Sequence, residues 1–215
     1  MGTRLDRKQV VETALRLLND VGQEGLTLRR IATELNVQAP ALYWHFKNKQ
    51  ELLDEMASEM YRRMTGPMLG EDFGAQGWRA QLAETARRLR AELLRYREGA
   101  KIFSGTRMSP EVSYEPLERM LGLLVSAGFT PRGAVRAWFT AYSFVVGFVI
   151  EEQSVHPMPG ERDPAYDLEE RERRLADLPL SREAGPTMFD DFDQGFEEGL
   201  RIVLAGIEAT KGGEG

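Results

Sequence analysis

Four ring side chains stand in a row in the stretch APALYWHFKNK, residues 39–49: Tyr43, Trp44, His45 and Phe46, followed at once by Lys47 and Lys49. Phenol, imidazole and ammonium groups this close together suit phosphate oxygens, and a tyrosine ring can lie on a thymine methyl. The neighbours Gln38, Ala39, Pro40 and Ala41 are small or polar, which lets a backbone sit close to base edges. The chemistry in view is recognition of duplex nucleic acid.

Catalytic constellations are missing. The chain has two histidines, His45 and His156, and no cysteine, so disulfides, thiolate zinc sites and cysteine nucleophiles are excluded. There is no Glu-x-x-His pair for a di-iron bundle, no GxSxG and no phosphate-cradling glycine loop. We therefore expect no enzyme, no metal and no cofactor. The longest charge-free stretch, 137–150, is short for a bilayer helix, and the N-terminus has no signal-like apolar run, so a cytoplasmic chain without a membrane partner is expected.

Net charge is −6, but it is uneven. Residues 1–50 carry eight Lys or Arg against five Asp or Glu, and the excess of acid lies entirely in the other 165 residues. That asymmetry fits a small basic module on an acidic body.

Helical spacing must position these groups. Over 6–21, Val10, Ala14, Leu17, Leu18 and Val21 recur every three or four residues, with Asp6 and Gln9 as a capping pair and Gly22 as a stop. Thr27 caps a second, short helix whose Ile31, Ala32 and Leu35 face inward, and the segment NVQA then breaks the pattern. Pro40 suits the start of a third helix running to about Phe46. Two short helices joined this way form a helix-turn-helix, the second entering the major groove. Leu42 and Phe46, four apart, anchor that helix inward, leaving Tyr43, Trp44 and His45 on other faces. Asn48 and Glu51 cap a fourth helix, whose free N–H groups beside Lys49 favour an anion.

Beyond it the pattern stays helical: 78–97, a short helix in REGAKIFSGTRMSP, 109–127, and 131–153, apolar on every side as if buried by more than one partner. No strand-like alternation competes, so the expected class is all-α. Residues 154–186, with five prolines and two glycines, read as a mobile connection with a short helix at 168–178. A last helix over 187–210 places Phe189, Phe192, Phe196, Leu200 and Val203 on one stripe, and Gly195 and Gly199 beside it would admit a close second helix. The tail KGGEG should be disordered. The expected division is 1–48, a DNA-binding domain, and 49–215, a larger helical domain, for which the resemblance described next implies ligand binding and dimerisation.

GLTLRRIATELNVQAPALYWHFKNKQELLDEMA resembles the DNA-binding signature of the TetR family of transcriptional regulators. LLRYREGAKIFSGTRM and FVVGFVIEEQ resemble the ligand domain of its tetracycline-responsive members. The resemblance implies a homodimer built on an intersubunit four-helix bundle of the 131–153 and last helices. It also implies repression at a palindromic double-stranded DNA operator, relieved by a small-molecule effector. DNA contacts are then expected from Thr27, Leu28, Arg29, Gln38, Ala39, Pro40, Ala41, Tyr43, Trp44, His45 and Lys49; Arg29 could read guanine. Leu28, Ala39 and Ala41 depart from the tetracycline-responsive pattern, so the operator should differ.

At the positions matching the magnesium–drug site stand Phe103 and Ser143 in place of histidines, Glu151 retained, Thr65, Thr85 and Met120 at drug contacts, and Thr106 retained. Losing both imidazoles predicts that magnesium–tetracycline is not the effector. The candidate lining is instead Met64, Leu89, Phe103, Met120, Trp138, Phe139, Phe144 and Phe148, with Arg107 and Glu151 orienting a larger, flatter, mostly apolar ligand. The alternative function is a helical small-molecule sensor acting through a protein partner without reading DNA.

Overall fold

The computed structural model describes residues 5–70, 73 and 75–211. The described residues form helices and no strands, in the order α1 (Arg7–Gly25), α2 (Leu28–Glu34), α3 (Ala39–Tyr43), α4 (Lys49–Thr65), a 3-10 turn (Pro67–Gly70), α5 (Gly77–Leu94), α6 (Gly99–Phe103), α7 (Glu115–Ser126), α8 (Pro131–Val155), α9 (Leu168–Arg174), α10 (Pro179–Phe189) and α11 (Phe192–Ala209). Two compact units divide them: Met1–Glu71 with Ala91–Pro116, and Asp72–Arg90 with Leu117–Gly215.

In the first unit the caps act where the sequence places them. Asp6 accepts from the Gln9 N–H at 2.7 Å and the Gln9 side chain accepts from the Asp6 N–H at 3.3 Å, a closed capping box. Gly22, at φ 68° and ψ 176°, breaks α1, a conformation that costs a residue with a Cβ, and one further turn reaches Gly25. Thr27 caps α2 and Asn48 caps α4 through the Glu51 N–H at 2.9 Å. Val10, Ala14, Leu18, Leu26, Ile31, Leu42, Phe46, Met56 and Met60 are sealed from solvent, each large side chain contributing about 1.5–3 kcal/mol by burial. α4 packs on both α1 and α6 and lies in this compact unit.

In the second unit, α8 and α11 form the main pair. Phe192, Phe196, Leu200, Leu204 and Ile207 of α11 are buried. Arg90 of α5 donates to Glu152 of α8 at 2.6 and 2.9 Å and to Asp193 of α11 at 2.7 Å, and its guanidinium lies 4.9 Å from the Phe196 ring centroid. Glu152 is 7 % exposed, so this pairing is what makes its burial tolerable.

Several boundaries differ from the sequence expectation. The recognition helix closes at Tyr43, although the Phe46 N–H still reaches the Leu42 carbonyl at 2.9 Å. α7 starts at Glu115 rather than 109: the Ser109 N–H is taken by Ser58 Oγ at 2.7 Å, and the helix begins only where Pro116 can occupy its first turn. Residues 154–186, expected to be mobile, hold α9 and most of α10. Their base is tied by Arg162, which donates to Asp190 at 2.9 Å and to the Phe189 carbonyl at 3.2 Å. The last helix begins at Phe192, because Asp191 caps it through the Gln194 N–H, and Phe189 belongs to α10. Residues 212–215 of the glycine-rich tail lie outside the described residues. Pro131–Val155 is long and apolar enough to cross a bilayer by length and composition, which the shorter charge-free run did not suggest; a third of its most apolar window is buried inside the chain.

Candidate nucleic-acid interface

The interface candidates lie on α2, α3 and the turns around them. Asn36, at φ 53°, takes the left-handed turn that reverses the chain, and the Val37 N–H closes it on the Ala32 carbonyl at 2.9 Å. Leu42 and Phe46 are fully buried, whereas Tyr43 is 53 % and Trp44 90 % exposed. Helical phase therefore divides the aromatic row into anchors and surface groups, as the four-residue spacing requires. Thr27, Arg29, Arg30, Gln38, Pro40 and Lys47 are also exposed, and Ala39, Ala41 and His45 are half-buried.

Two of the expected contacts have other neighbours in the free chain. Leu28 is 8 % exposed and belongs to the core, because the Thr27 cap turns the first residue of α2 inward. Lys49 is half-buried, and its ammonium donates to the Gln23 carbonyl at the broken end of α1. Just before α4, the Glu51 carboxylate accepts from the Lys47 N–H at 2.8 Å. That bond, aided by Arg7, holds the Glu51 carboxyl below the usual glutamate range against a smaller burial cost.

Arg7 was not singled out in the sequence, yet it sets this surface. Its guanidinium stacks 4.2 Å from the Phe46 centroid, donates to the His45 carbonyl, and pairs with Glu51 at 3.3 Å and Glu55 at 3.2 Å. Glu55 in turn pairs with Arg62 at 2.6 Å, and Arg62 and Arg63 both bind Glu59 at 3.0 Å. Burial raises the Glu59 carboxyl, and the hydrogen bonds from Arg63 and Arg62 outweigh it, leaving the group below its ordinary value. The visible signal was the run of carboxylates at 51, 55 and 59, one helical turn apart and followed by two arginines.

The ligand candidates fall in both units. Met64, Thr65, Phe103, Thr106 and Arg107 lie in the first; Thr85, Leu89, Met120, Trp138, Phe139, Ser143, Phe144, Phe148 and Glu151 lie in the second. The hydroxyls of Thr65, Thr85 and Thr106 each donate to a carbonyl three or four residues back, at 2.8, 2.8 and 2.9 Å. Leu89, Phe103 and Met120 are buried and Met64 is half-buried. Trp138 stacks on Tyr142 with centroids 5.5 Å apart, and Phe139 lies against the same tyrosine at 5.8 Å. Arg107 and Glu151, expected to orient a ligand, are both exposed. Phe144 and Phe148 are packed between α8 and α11: Phe144 stacks on Phe196 at 5.6 Å, and Phe148 meets Phe196 edge-on at 5.4 Å. No group of three or more His, Asp or Glu that could hold a metal ion occurs among the described residues.

The α11 stripe expected at a dimer interface also makes contacts within the chain. Phe192, Phe196 and Leu200 are buried against their own chain, and Phe189 packs on Tyr166 at 5.6 Å. Gly195 and Gly199 admit a close second helix, but that helix is α8 of the same chain: a Cβ on Gly199 would stand 2.7 Å from the Phe144 Cζ, and one on Gly195 3.6 Å from the Phe148 Cζ. Val203 is half-buried beside them.

Residues 10–56 match the model for bacterial regulatory proteins of the tetR family, and residues 71–211 match the tetracyclin repressor-like C-terminal domain. The chain belongs to the tetR family. It is similar to the tetracycline repressor protein class A from transposon 1721 of Escherichia coli, with 40% identity over 95% of this chain and 91% of that protein. A crystal structure of a possible TetR family regulator from Streptomyces coelicolor A3(2) superposes with a TM-score of 0.82 at 36% identity, covering 95% of this chain and all of that one. A TetR variant from Acinetobacter baumannii AYE in complex with minocycline superposes at 0.76 with 34% identity, over 98% of this chain and 97% of that one. This tetR-family chain is thus a helix-turn-helix transcriptional repressor with a ligand-binding C-terminal domain.

Proposed function

We propose that this tetR-family chain works as a homodimer that reads a palindromic duplex operator through α2 and α3, and that a small, largely apolar or aromatic effector releases it. The observation that carries DNA reading is the surface of the short α3: Tyr43 and Trp44 point outward beside exposed Arg29, Arg30, Gln38 and Lys47. Rings and cations serve phosphate and base edges together, whereas a helix of five residues has little else to do at the surface. A second copy would place two such helices about one DNA turn apart, roughly 34–36 Å.

The dimer face is the outer side of α8 and α11. Val135 is 50 %, Phe139 57 % and Ile202 71 % exposed. Among the described residues, nothing beyond their own helix backbone and chain neighbours lies within 4 Å of where a Cβ would sit on Gly147 of α8 or Gly206 of α11. A helix-interior glycine costs about 1 kcal/mol relative to alanine, and close approach of a second copy gives it a reason. Arg136 stands toward one end of this α8 face and Glu151 toward the other, so a two-fold axis between them brings opposite charges together. Ser143 and Glu151 lie on that face as well.

The effector differs from the drug named with the minocycline-bound relative. Phe103 and Ser143 stand where imidazoles would be needed for a chelated metal, and the stacked, half-buried rings of Trp138 and Tyr142, 5.5 Å apart, are the kind of surface that suits a flat apolar molecule. Selection from random duplex pools followed by gel shift at physiological salt tests the DNA reading, which fails if no sequence preference survives. Isothermal titration with tetracycline and magnesium should show no tight binding; a magnesium-dependent heat would refute that part.

A further inference from the structure

Three elements of the first unit meet on one peptide group. At the break of α1, the Gln23 N–H donates to Glu98 Oε2 at 2.7 Å, and the Gln23 carbonyl accepts from the Lys49 ammonium at the start of α4. Glu98 sits in the turn between α5 and α6 and is held left-handed at φ 56°, a conformation that a non-glycine residue adopts only when its surroundings fix it. They do: the Arg97 N–H and Nε donate to Asn19 Oδ1 and to the Asn19 carbonyl, both at 2.9 Å, and Asn19 Nδ2 donates to the Arg95 carbonyl at 3.1 Å. The turn 95–98 is thereby laced to the last intact turn of α1. Gly22 is what opens the helix there, since a Cβ would lie 3.1 Å from Glu98 Oε2 as well as on a strained backbone.

An unbroken helix would satisfy the Gln23 N–H internally; here a charged side chain from one neighbour holds it, and a charged side chain from another holds the carbonyl of the same residue. We infer that Glu98, Gln23 and Lys49 form a relay through which the α5–α6 turn sets the position of the Lys49 ammonium and of the start of α4. Lys49 has two competing partners in this scheme, the Gln23 carbonyl within the chain and a phosphate of bound DNA. Movement of the turn before α6 pulls on Glu98, loosens Gln23 and changes which partner Lys49 holds. The relay rests on the DNA-reading proposal for its consequence but not for its existence.

The test uses the full chain. Amide hydrogen exchange is read on the free protein for Glu98→Gln and Lys49→Met. Glu98→Gln should speed exchange at Gln23 about tenfold, as for loss of a charge-assisted bond, and should also speed exchange in residues 49–53. Lys49→Met should speed it in residues 96–99. On the duplex enriched from the random pool, Lys49→Met should weaken binding at least threefold, Glu98→Gln, which releases Lys49 to phosphate, should tighten it at least threefold, and the double variant should match Lys49→Met alone. Exchange effects confined to the mutated end, or binding effects that multiply in the double variant, would overturn the relay. Should no duplex be enriched, the operator reading fails on its own, and exchange across the three elements still decides the relay.

Discussion

Two glycines one turn apart on α11 should respond oppositely to the same substitution. A methyl group on Gly199 would stand 2.7 and 2.8 Å from Cζ and Cε2 of Phe144, closer than carbon atoms approach. That ring has little room to yield, because it is stacked on Phe196 at 5.6 Å and tilted against Phe148 at 5.7 Å. Forcing extra volume into such packing costs about 1–3 kcal/mol. Replacing glycine by alanine in a helix interior returns about 0.8–1.0 kcal/mol. Gly199→Ala should therefore destabilise the chain by about 1 kcal/mol net. A methyl on Gly195 meets Phe148 Cζ at 3.6 Å, an ordinary contact, so Gly195→Ala keeps the helix gain and should stabilise by about 1 kcal/mol. For a chain of this size, the difference of about 2 kcal/mol separates the two melting temperatures by roughly 4–8 °C. Calorimetry at one fixed protein concentration measures it. A Gly199→Ala protein as stable as Gly195→Ala would show that α8 and α11 do not pack through these glycines.

Three further outcomes can be checked. Tyr43→Ala should weaken binding to the selected duplex about tenfold while shifting stability by no more than about 0.5 kcal/mol, since the ring is exposed; parallel losses in Tm and affinity would make Tyr43 a packing residue. Phe139→Asp should shift the protein from dimer to monomer in sedimentation without unfolding it, because a two-fold interface meets the charge twice; an unchanged dimer would move the interface elsewhere. The carboxyls of Glu51, Glu59 and Glu197 are all depressed in the folded chain, the last by the bidentate hydrogen bond from Arg87 at 2.7 Å. Their stabilisation is complete above the unfolded glutamate value of about 4.3 and is lost as pH falls through the lower folded values. Denaturant titrations should show a steep fall in stability below about pH 4.3, shallower in Glu59→Gln; identical slopes would remove Glu59 from the account.

What could be read from the chain alone was local. Asp6, Thr27 and Asn48 cap helices because a short polar side chain reaches an N–H three residues ahead, whatever the rest of the chain does. The separation of Leu42 and Phe46 from Tyr43 and Trp44 follows from helical phase in the same way. Helix starts slipped where a distant partner intervened, as Ser58 does for the segment before α7.

Partners at long range were decided only by the tertiary structure. The phenylalanine stripe and paired glycines of α11 announce that a helix must lie against them, but periodicity carries no label saying whose helix it is. Phe144 and Phe148 of the same chain fill that place, and Phe192, Phe196 and Leu200 are buried beside them. The same holds for Lys49: a lysine at a helix start suits a phosphate by charge alone, and only the fold brings the Gln23 carbonyl within its reach. Side-chain chemistry and helical period are properties of a few neighbouring residues, whereas the choice between equivalent partners depends on which surfaces the folded chain has already covered.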